Sequence, residues 1–165
     1  MASSPDLFSA LTLVVFLVLA QAVATASTVT FDLEGPNTAT ANSGPFNGDT
    51  ISLSGGGTFD PATARVLAGG SLTISNASGT LIANGTWQAT SFVSFTPFGG
   101  PSPAFQGGVL EIKVTQFFAG GTPVSNVLMT VNCLIHAPST FTGDEGVTIG
   151  DFTQITRGAT LFHLN

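Results

Sequence analysis

Three acidic residues near the C-terminal end have types and spacing that could bind a metal ion. The stretch GDEGVTIGD contains Asp144, Glu145 and Asp151, with glycines that leave backbone carbonyls accessible. Calcium takes six to eight oxygen ligands from carboxylates and carbonyls in such loops, although this spacing is not that of an EF-hand. The stretch is therefore the best candidate for a calcium site, while the sequence as a whole predicts no cofactor.

Pairs of carboxylates are a second arrangement that could do chemistry, because a glycosidase needs two of them about 5–10 Å apart. Asp32 and Glu34 stand two residues apart and would share one face of a strand. That face is opposite the apolar one, so exposure to solvent is the simpler interpretation. A carboxylate-dependent enzyme with Glu34, Glu111 or Asp144 as candidates remains the alternative, and it would need two carboxyl groups in one cleft.

Cys133, His136 and His163 are the remaining candidates for nucleophilic or metal chemistry. The chain contains neither a Gly-x-Ser-x-Gly motif nor a His-Glu-x-x-His motif. Zinc needs three or four suitable ligands, which these residues do not supply at a recognised spacing. In VLMTVNCLI, Cys133 lies on the same period-two face as Met129, Val131 and other apolar residues, as a buried strand residue does. The sequence therefore predicts no catalytic residue and favours a protein that is not an enzyme.

The glycine-rich stretch 55–76, GGGTFDPATARVLAGGSLTISN, could be a phosphate-binding loop or a turn between strands. A phosphate loop places its glycines between a strand and a helix, so that the helix N-terminus faces the phosphate. No helical pattern follows here. Pro61 suits the second position of a type I turn, and the Asp60 carboxylate can accept a local backbone N–H. We therefore predict a β-hairpin, with Gly69 and Gly70 in a bulge or tight bend.

The elements that must position these residues are strands, since apolar and polar residues alternate without a helical period. The clearest strands are TVTFDL, VLEIKVTQFF and VSNVLMTVNCLIH. LIANGTWQATSFVSF is one long strand or two, and the proline- and glycine-rich stretches PNTATANSGPFNGD and FGGPSPAFQGG are predicted loops. About eight or nine strands predict an all-β, single-domain antiparallel β-barrel or β-sandwich.

The N-terminal residues predict a signal peptide. The chain is almost wholly apolar from Leu7 to Ala20, and Ala24-Thr25-Ala26 fits the small-x-small pattern of a cleavage site. The apolar run is shorter than the roughly 20 residues of a membrane-spanning helix. It departs from the usual signal-peptide pattern in one respect, since no Lys or Arg precedes it. We expect residues 1–26 to form a signal helix that is cleaved off. We expect residues 27–165 to form one secreted domain that is not bound to a membrane after this cleavage. An uncleaved anchor or a buried first helix is the alternative.

Charge is scarce in this chain. Only Arg65, Lys113 and Arg157 are positive, and the formal net charge is −6 at pH 7. Binding to a phosphate backbone requires clustered Lys and Arg side chains, so nucleic acid is excluded as a partner. Anionic membrane surfaces are excluded for the same reason. Uncharged polar residues must cover most of the surface, as is common in secreted β proteins.

Phenylalanines in or beside the predicted loops are the best candidates for a ligand site. They are Phe46, Phe98, Phe105 and Phe141. Such side chains could line the mouth of an apolar cavity, or they could close the ends of the hydrophobic core. A pocket whose wall includes loop phenylalanines would favour the first interpretation.

Two Asn-x-Ser/Thr sequences could carry glycans if the host is a eukaryote. They are Asn76-Ala77-Ser78 and Asn84-Gly85-Thr86. Short motifs of this kind also arise by chance in a chain so rich in Asn, Ser and Thr. They make glycosylation of Asn76 and Asn84 an expectation for a secreted eukaryotic protein only.

The glycine-rich hairpin before a β-meander, in a chain with a predicted signal peptide, resembles small barrel families such as the dirigent-like proteins. The likeness covers a short stretch and includes no catalytic motif. We expect a secreted, non-enzymatic protein that binds a small apolar ligand or an extracellular partner, or that forms part of an extracellular surface. The alternative is a secreted carboxylate-dependent enzyme, either hydrolase-like or, as the resemblance implies, a dirigent-like barrel isomerase.

Overall fold

The computed structural model describes residues 28–102 and 104–164. The predicted signal helix, its cleavage site and residue 27 lie outside the described residues. Within the described part of the chain, no helix is long and apolar enough to cross a membrane.

The described residues form strands and one short 3₁₀ turn, Gly44–Phe46. In chain order the strands are β1 (Val29–Ala41), β2 (Thr50–Asp60), β3 (Arg65–Ser75), β4 (Leu81–Ser102), β5 (Phe105–Phe118), β6 (Val124–Cys133), β7 (Gly146–Ile149), β8 (Phe152–Arg157) and β9 (Thr160–Leu164). The all-β prediction is confirmed. The hairpin predicted around Asp60 and Pro61 is also present, as β2 and β3.

All of these strands belong to one antiparallel sheet that closes in a ring. One edge of β1 pairs with β2, and its other edge is divided between two strands. β9 pairs with residues 29–33, and β8 pairs with residues 38–41. The start of β5 also pairs with β9. We call the end of the ring that contains Ala41, Ser75 and Phe118 the upper end, and the opposite end the lower end.

The division of β1 depends on an irregularity between Leu33 and Asn37, where its register with β2 shifts. Asn37 is fully buried there, and its amide donates to the Ala159 carbonyl (3.1 Å) and accepts from the Ala159 N–H (3.2 Å). Ala159 lies in the connection from β8 to β9. The Asn37 side chain therefore fastens this connection at the point where one partner strand replaces the other.

The ring is incomplete between β3 and β4. These strands pair only in the upper half, from Gly69 with Gln88 to Ser75 with Leu81. Below that point residues 65–68 of β3 pair only with β2, and residues 89–102 of β4 pair only with β5. We call this gap the seam. Within the described residues no strand pairing crosses it.

Large apolar side chains fill the interior of the ring. In the lower half Phe31, Phe59, Phe95 and Phe162 pack with ring centroids 4.8 to 6.4 Å apart. Such tilted and edge-on ring pairs add to the stabilisation that burial itself provides. Trp87 is also buried, and its indole N–H donates to the Ser54 carbonyl at 3.0 Å.

Several local predictions were wrong. The first six residues of the predicted loop PNTATANSGPFNGD are strand, because β1 continues to Ala41, and the rest connect β1 to β2. Pro36 is tolerated since it lies within the register shift, where no ladder hydrogen bond needs its missing N–H. Of the predicted loop FGGPSPAFQGG, residues 98–102 belong to the end of β4 and residues 105–108 to the start of β5, with Gly99 opposite Gly107. The strand β8 was not predicted.

The predicted bulge at Gly69 and Gly70 is also absent, because both residues stay in regular register with β2 and β4. Close packing explains these glycines instead. A Cβ atom on Gly70 would lie 1.9 Å from the Ser54 carbonyl oxygen and 2.7 Å from the Trp87 indole nitrogen. Only glycine leaves space for that hydrogen bond.

Candidate functional site

A mainly apolar pocket of about 260 Å³ lies at the upper end of the ring, and we call it the end pocket. Its lining residues come from the ends of β3 and β5, from β6 and β7, from the connections and from β8. They are Phe46, Ile74, Gln116, Phe118, Val124, Val127, Ile149, Gly150, Asp151 and Phe152. Pockets that bind small molecules are usually apolar with a few polar groups, which matches this lining.

Phe46 forms one wall of the end pocket from outside the sheet. It ends the 3₁₀ turn between β1 and β2, and its ring packs against Phe152 with centroids 5.6 Å apart. The turn is held by hydrogen bonds from Gly48 N–H to the Ala41 carbonyl and from Asp49 N–H to the Phe46 carbonyl, both 2.8 Å. Phe46 is therefore fixed by its own loop.

Gln116 is the polar residue that points into the end pocket. Side chains alternate along β5, and Leu110, Ile112 and Val114 are fully buried on the inner face that Gln116 shares. Gln116 itself is 7% exposed. Within the described part of the chain its amide has no hydrogen-bond partner. No fully enclosed side-chain nitrogen or oxygen among the described residues lacks a partner, so the amide keeps some exposure, and the pocket that it lines can supply a partner.

Charge at the end pocket is limited to one acidic side chain. Asp151 is exposed and lies beside Gly44, where an added Cβ atom would be 2.8 Å from the Asp151 carboxylate. No Lys, Arg or His is among the lining residues. The one charged side chain in the lining is therefore acidic, which disfavours an anionic ligand.

The four phenylalanines proposed from the sequence do not converge on one cavity. Phe46 lines the end pocket, whereas Phe98, Phe105 and Phe141 are not among its lining residues. Phe98 packs against Phe141 at 5.0 Å, and Phe105 packs against the ring of His163 at 4.9 Å. These two contacts belong to the lower half of the molecule.

The three residues proposed for calcium are placed in different surroundings. Glu145 accepts hydrogen bonds from the N–H groups of Leu134 (2.7 Å) and Thr160 (3.0 Å), so both its oxygens already have partners. Asp144 is exposed beside it, while Asp151 lies beyond the opposite end of β7. Among the described residues, no group of three or more His, Cys, Asp and Glu is arranged to hold a metal ion.

The carboxylates proposed for the enzyme alternative lie on separate parts of the surface. Glu34 is exposed on β1, and Glu111 on β5 accepts a hydrogen bond from the Ser94 hydroxyl at 2.8 Å. Asp144 belongs to the connection before β7. Asp32 lies 3.7 Å from His163, a contact between two partly exposed side chains. None of these residues lines the end pocket.

Cys133 is fully buried in the core, as its alternation pattern predicts. Burial is the main cause that raises the pKa of its thiol, and the Glu145 carboxylate adds to the rise against hydrogen bonds that lower it. The reactive thiolate is therefore disfavoured. Its surroundings suit packing and do not suit nucleophilic chemistry.

The two predicted glycosylation sequences lie at the upper end of β3 and β4. Asn76 lies in the turn between them, where its Oδ1 accepts hydrogen bonds from the Ser78 N–H (3.1 Å) and hydroxyl (2.7 Å) and from the Thr80 N–H (2.9 Å). Asn84 is exposed on β4. Glycosylation of both residues stays a prediction.

A larger groove of about 570 Å³ follows the seam at the lower end. It is open to solvent, and polar residues form about half of its wall. They are Thr28, Thr58, Asp60, Arg65, Thr90 and Ser91. The Asp60 carboxylate is already hydrogen-bonded to Thr63 and Ala62 in its own turn. The end pocket is smaller and more apolar, and it contains a buried amide, that of Gln116, without a protein partner among the described residues.

Gln116 was missed at the level of sequence, although the signal was present. In VLEIKVTQFF, the period-two face that contains Leu110, Ile112 and Val114 reaches Gln116 next. A polar residue on the buried face of a strand needs a partner, since burying an unpaired amide is costly. Applied to this alternation pattern, that rule distinguishes Gln116 from its apolar neighbours.

Comparisons with protein-family models, with curated proteins and with solved structures found no match to this chain.

Proposed function

We propose that the protein is a secreted, non-enzymatic β-barrel that binds a small apolar molecule in the end pocket. The observation that carries the proposal is the apolar pocket at the open end of the ring, with Phe46 from a loop as part of its wall. This is the arrangement expected if loop phenylalanines serve a ligand. β-Barrels commonly bind ligands at their mouths, which also favours this position.

The size of the pocket supports a ligand smaller than a typical drug. Ligand pockets usually measure about 300–1,000 Å³. At about 260 Å³, the end pocket lies just below that range. Burial of apolar ligand surface stabilises a complex by about 25 cal/mol per Å². Ile74, Phe118 and Phe152 are among the apolar residues that line the pocket.

Binding can be tested with pyrene, a neutral fluorescent probe that has no hydrogen-bonding group. Saturable binding, with the rise in the third-to-first vibronic band ratio that accompanies an apolar environment, is the expected result. Val127→Trp should abolish it, because Val127 lines the pocket and a larger side chain would fill the space. Leu128→Trp is the matched control, since the adjacent Leu128 is 46% exposed on the outer face.

Three results would each contradict a different part of the proposal. Equal pyrene binding by the Val127→Trp and Leu128→Trp proteins, both folded by circular dichroism, would place the probe elsewhere and remove the end pocket as the site. Absence of saturable binding by the wild-type protein, both of pyrene and of 1-octanol, which carries one hydroxyl group, would remove the ligand-binding function. Secretion is tested separately, by N-terminal sequencing of protein recovered from the culture medium. Cleavage after Ala26 gives a chain that begins at Ser27, whereas retention in the cell contradicts secretion.

A further inference from the structure

We infer that the ligand of the end pocket is a neutral molecule with one hydrogen-bonding group, such as an alcohol or a ketone, which the Gln116 amide binds. This inference rests on the proposed function and specifies its ligand class. It depends on three properties of Gln116: the direction of its side chain, its burial and the lack of a partner.

The direction of the Gln116 side chain follows from the strand. Residues 110, 112 and 114 of β5 are fully buried, and residue 118 is half-buried against the core. Gln116 lies on the same face, between Val114 and Phe118. Its main-chain neighbours across the sheet are Trp87 on β4 and Val124 on β6. The amide therefore projects into the upper interior, where the end pocket lies.

The amide is nearly enclosed but unpaired. The Gln116 residue is 7% exposed, and no described residue hydrogen-bonds its side chain. The described residues contain no fully enclosed side-chain nitrogen or oxygen without a partner. The Gln116 amide must therefore keep a small opening, and the pocket that it lines provides one. A ligand or water in the pocket is its available partner.

The chemistry of the amide selects the ligand. Its oxygen can accept a hydrogen bond from a hydroxyl group, and its nitrogen can donate one to a carbonyl group. A fully apolar ligand would displace water from the amide and leave it unpaired, which costs binding free energy. A carboxylate ligand would meet the Asp151 side chain and no cation in the lining. A neutral molecule with one polar group avoids both penalties.

Displacement of pyrene by 1-octanol and by octanoate tests this selectivity on the protein recovered from the medium. We expect 1-octanol to displace pyrene at much lower concentration than octanoate does. Gln116→Leu should weaken 1-octanol by about three- to tenfold, the equivalent of one neutral hydrogen bond. The same substitution should tighten pyrene, because no amide is then left unpaired.

Gln106→Leu is the matched control. Gln106 is on the inner face of the same strand and is 9% exposed, but it lies at the lower end and does not line the end pocket. It should change neither affinity. If Gln116→Leu leaves the ratio of 1-octanol to pyrene affinity unchanged, or if octanoate matches 1-octanol in the wild-type protein, the ligand class is wrong while the pocket stands. Failure of both pyrene and 1-octanol to bind the wild-type protein would instead remove the proposed function.

Discussion

At the scale of single residues, the Asp60 carboxylate fixes the turn between β2 and β3. Its Oδ1 accepts from the Ala62 N–H (2.9 Å) and the Thr63 N–H (3.3 Å), and its Oδ2 accepts from the Thr63 hydroxyl (2.7 Å). The Thr63 hydroxyl is the main cause that lowers the pKa of Asp60. Desolvation opposes this effect, whereas the two N–H groups and Arg65 strengthen it. The sequence predicted this role from Asp-Pro alone, because the interaction is local.

The lowered pKa of Asp60 predicts the pH dependence of stability. A carboxyl group whose pKa is lower in the folded state stabilises that state above the unfolded-state pKa. This contribution is lost as the pH falls through the folded-state value. We therefore expect Asp60→Asn to lower the free energy of unfolding near neutral pH, and the difference from wild type to shrink as the pH falls below 3.8. Urea unfolding at a series of pH values measures this difference.

Thr63→Val provides the control for this prediction. It removes the first cause of the shift, so the pKa of Asp60 should move up toward its usual value in a carboxyl-detected NMR titration. An Asp60 pKa that stays the same in Thr63→Val would show that the hydroxyl hydrogen bond is not what lowers it.

At the scale of elements, β1 is the strand that sequence patterns described least well. Its first half was predicted from the alternation of Val29, Phe31 and Leu33. Sequence patterns predict a loop for the second half, because the stretch PNTATANSGPFNGD contains two prolines and two glycines. Residues 37–41 are nevertheless strand, because they pair with β2 and with the distant β8. The Asn37 side chain also binds Ala159, far along the chain. Local sequence patterns cannot predict contacts between residues so far apart in the chain. They cannot predict the division of β1 between β8 and β9 either.

Asn37→Ala should destabilise the protein by about 1–3 kcal/mol, the usual cost of leaving a buried polar group unpaired. The substitution leaves the Ala159 N–H and carbonyl without their side-chain partner. Chemical denaturation measures the loss, and Asn47→Ala is the control because Asn47 is exposed in the loop after the 3₁₀ turn. Equal stability of the two variants would mean that the β8–β9 connection is held by other contacts.

At the scale of the whole molecule, the closed upper half and the divided lower half should differ in local stability. Across the seam, residues 65–68 of β3 and 89–92 of β4 lack ladder hydrogen bonds on one edge. The sequence predicted strands in both regions but could not predict the gap, because register and closure depend on how all the strands pack. Gln116 was predictable from its position on the strand, while the pocket around it comes from several distant segments.

Hydrogen exchange followed by mass spectrometry can measure this difference. Amide protons that lack a ladder partner exchange through smaller openings than those in paired strands. We expect peptides covering residues 65–68 and 89–92 to exchange faster than peptides covering 69–75 and 81–88. Equal protection on both sides of Gly69 would indicate that the seam is closed in solution.

The division of β1 between two late strands has a consequence for how the protein is made. β1 is synthesised first among the described strands. The edge of β1 that pairs with β8 and β9 stays without a partner until those two strands have left the ribosome. Pairings between segments so distant in sequence slow folding and leave strand edges open to wrong partners. An early strand with one long unpaired edge is a segment that a chaperone would need to protect. The interval between synthesis of β1 and arrival of β9 is therefore when this chain is most prone to aggregate.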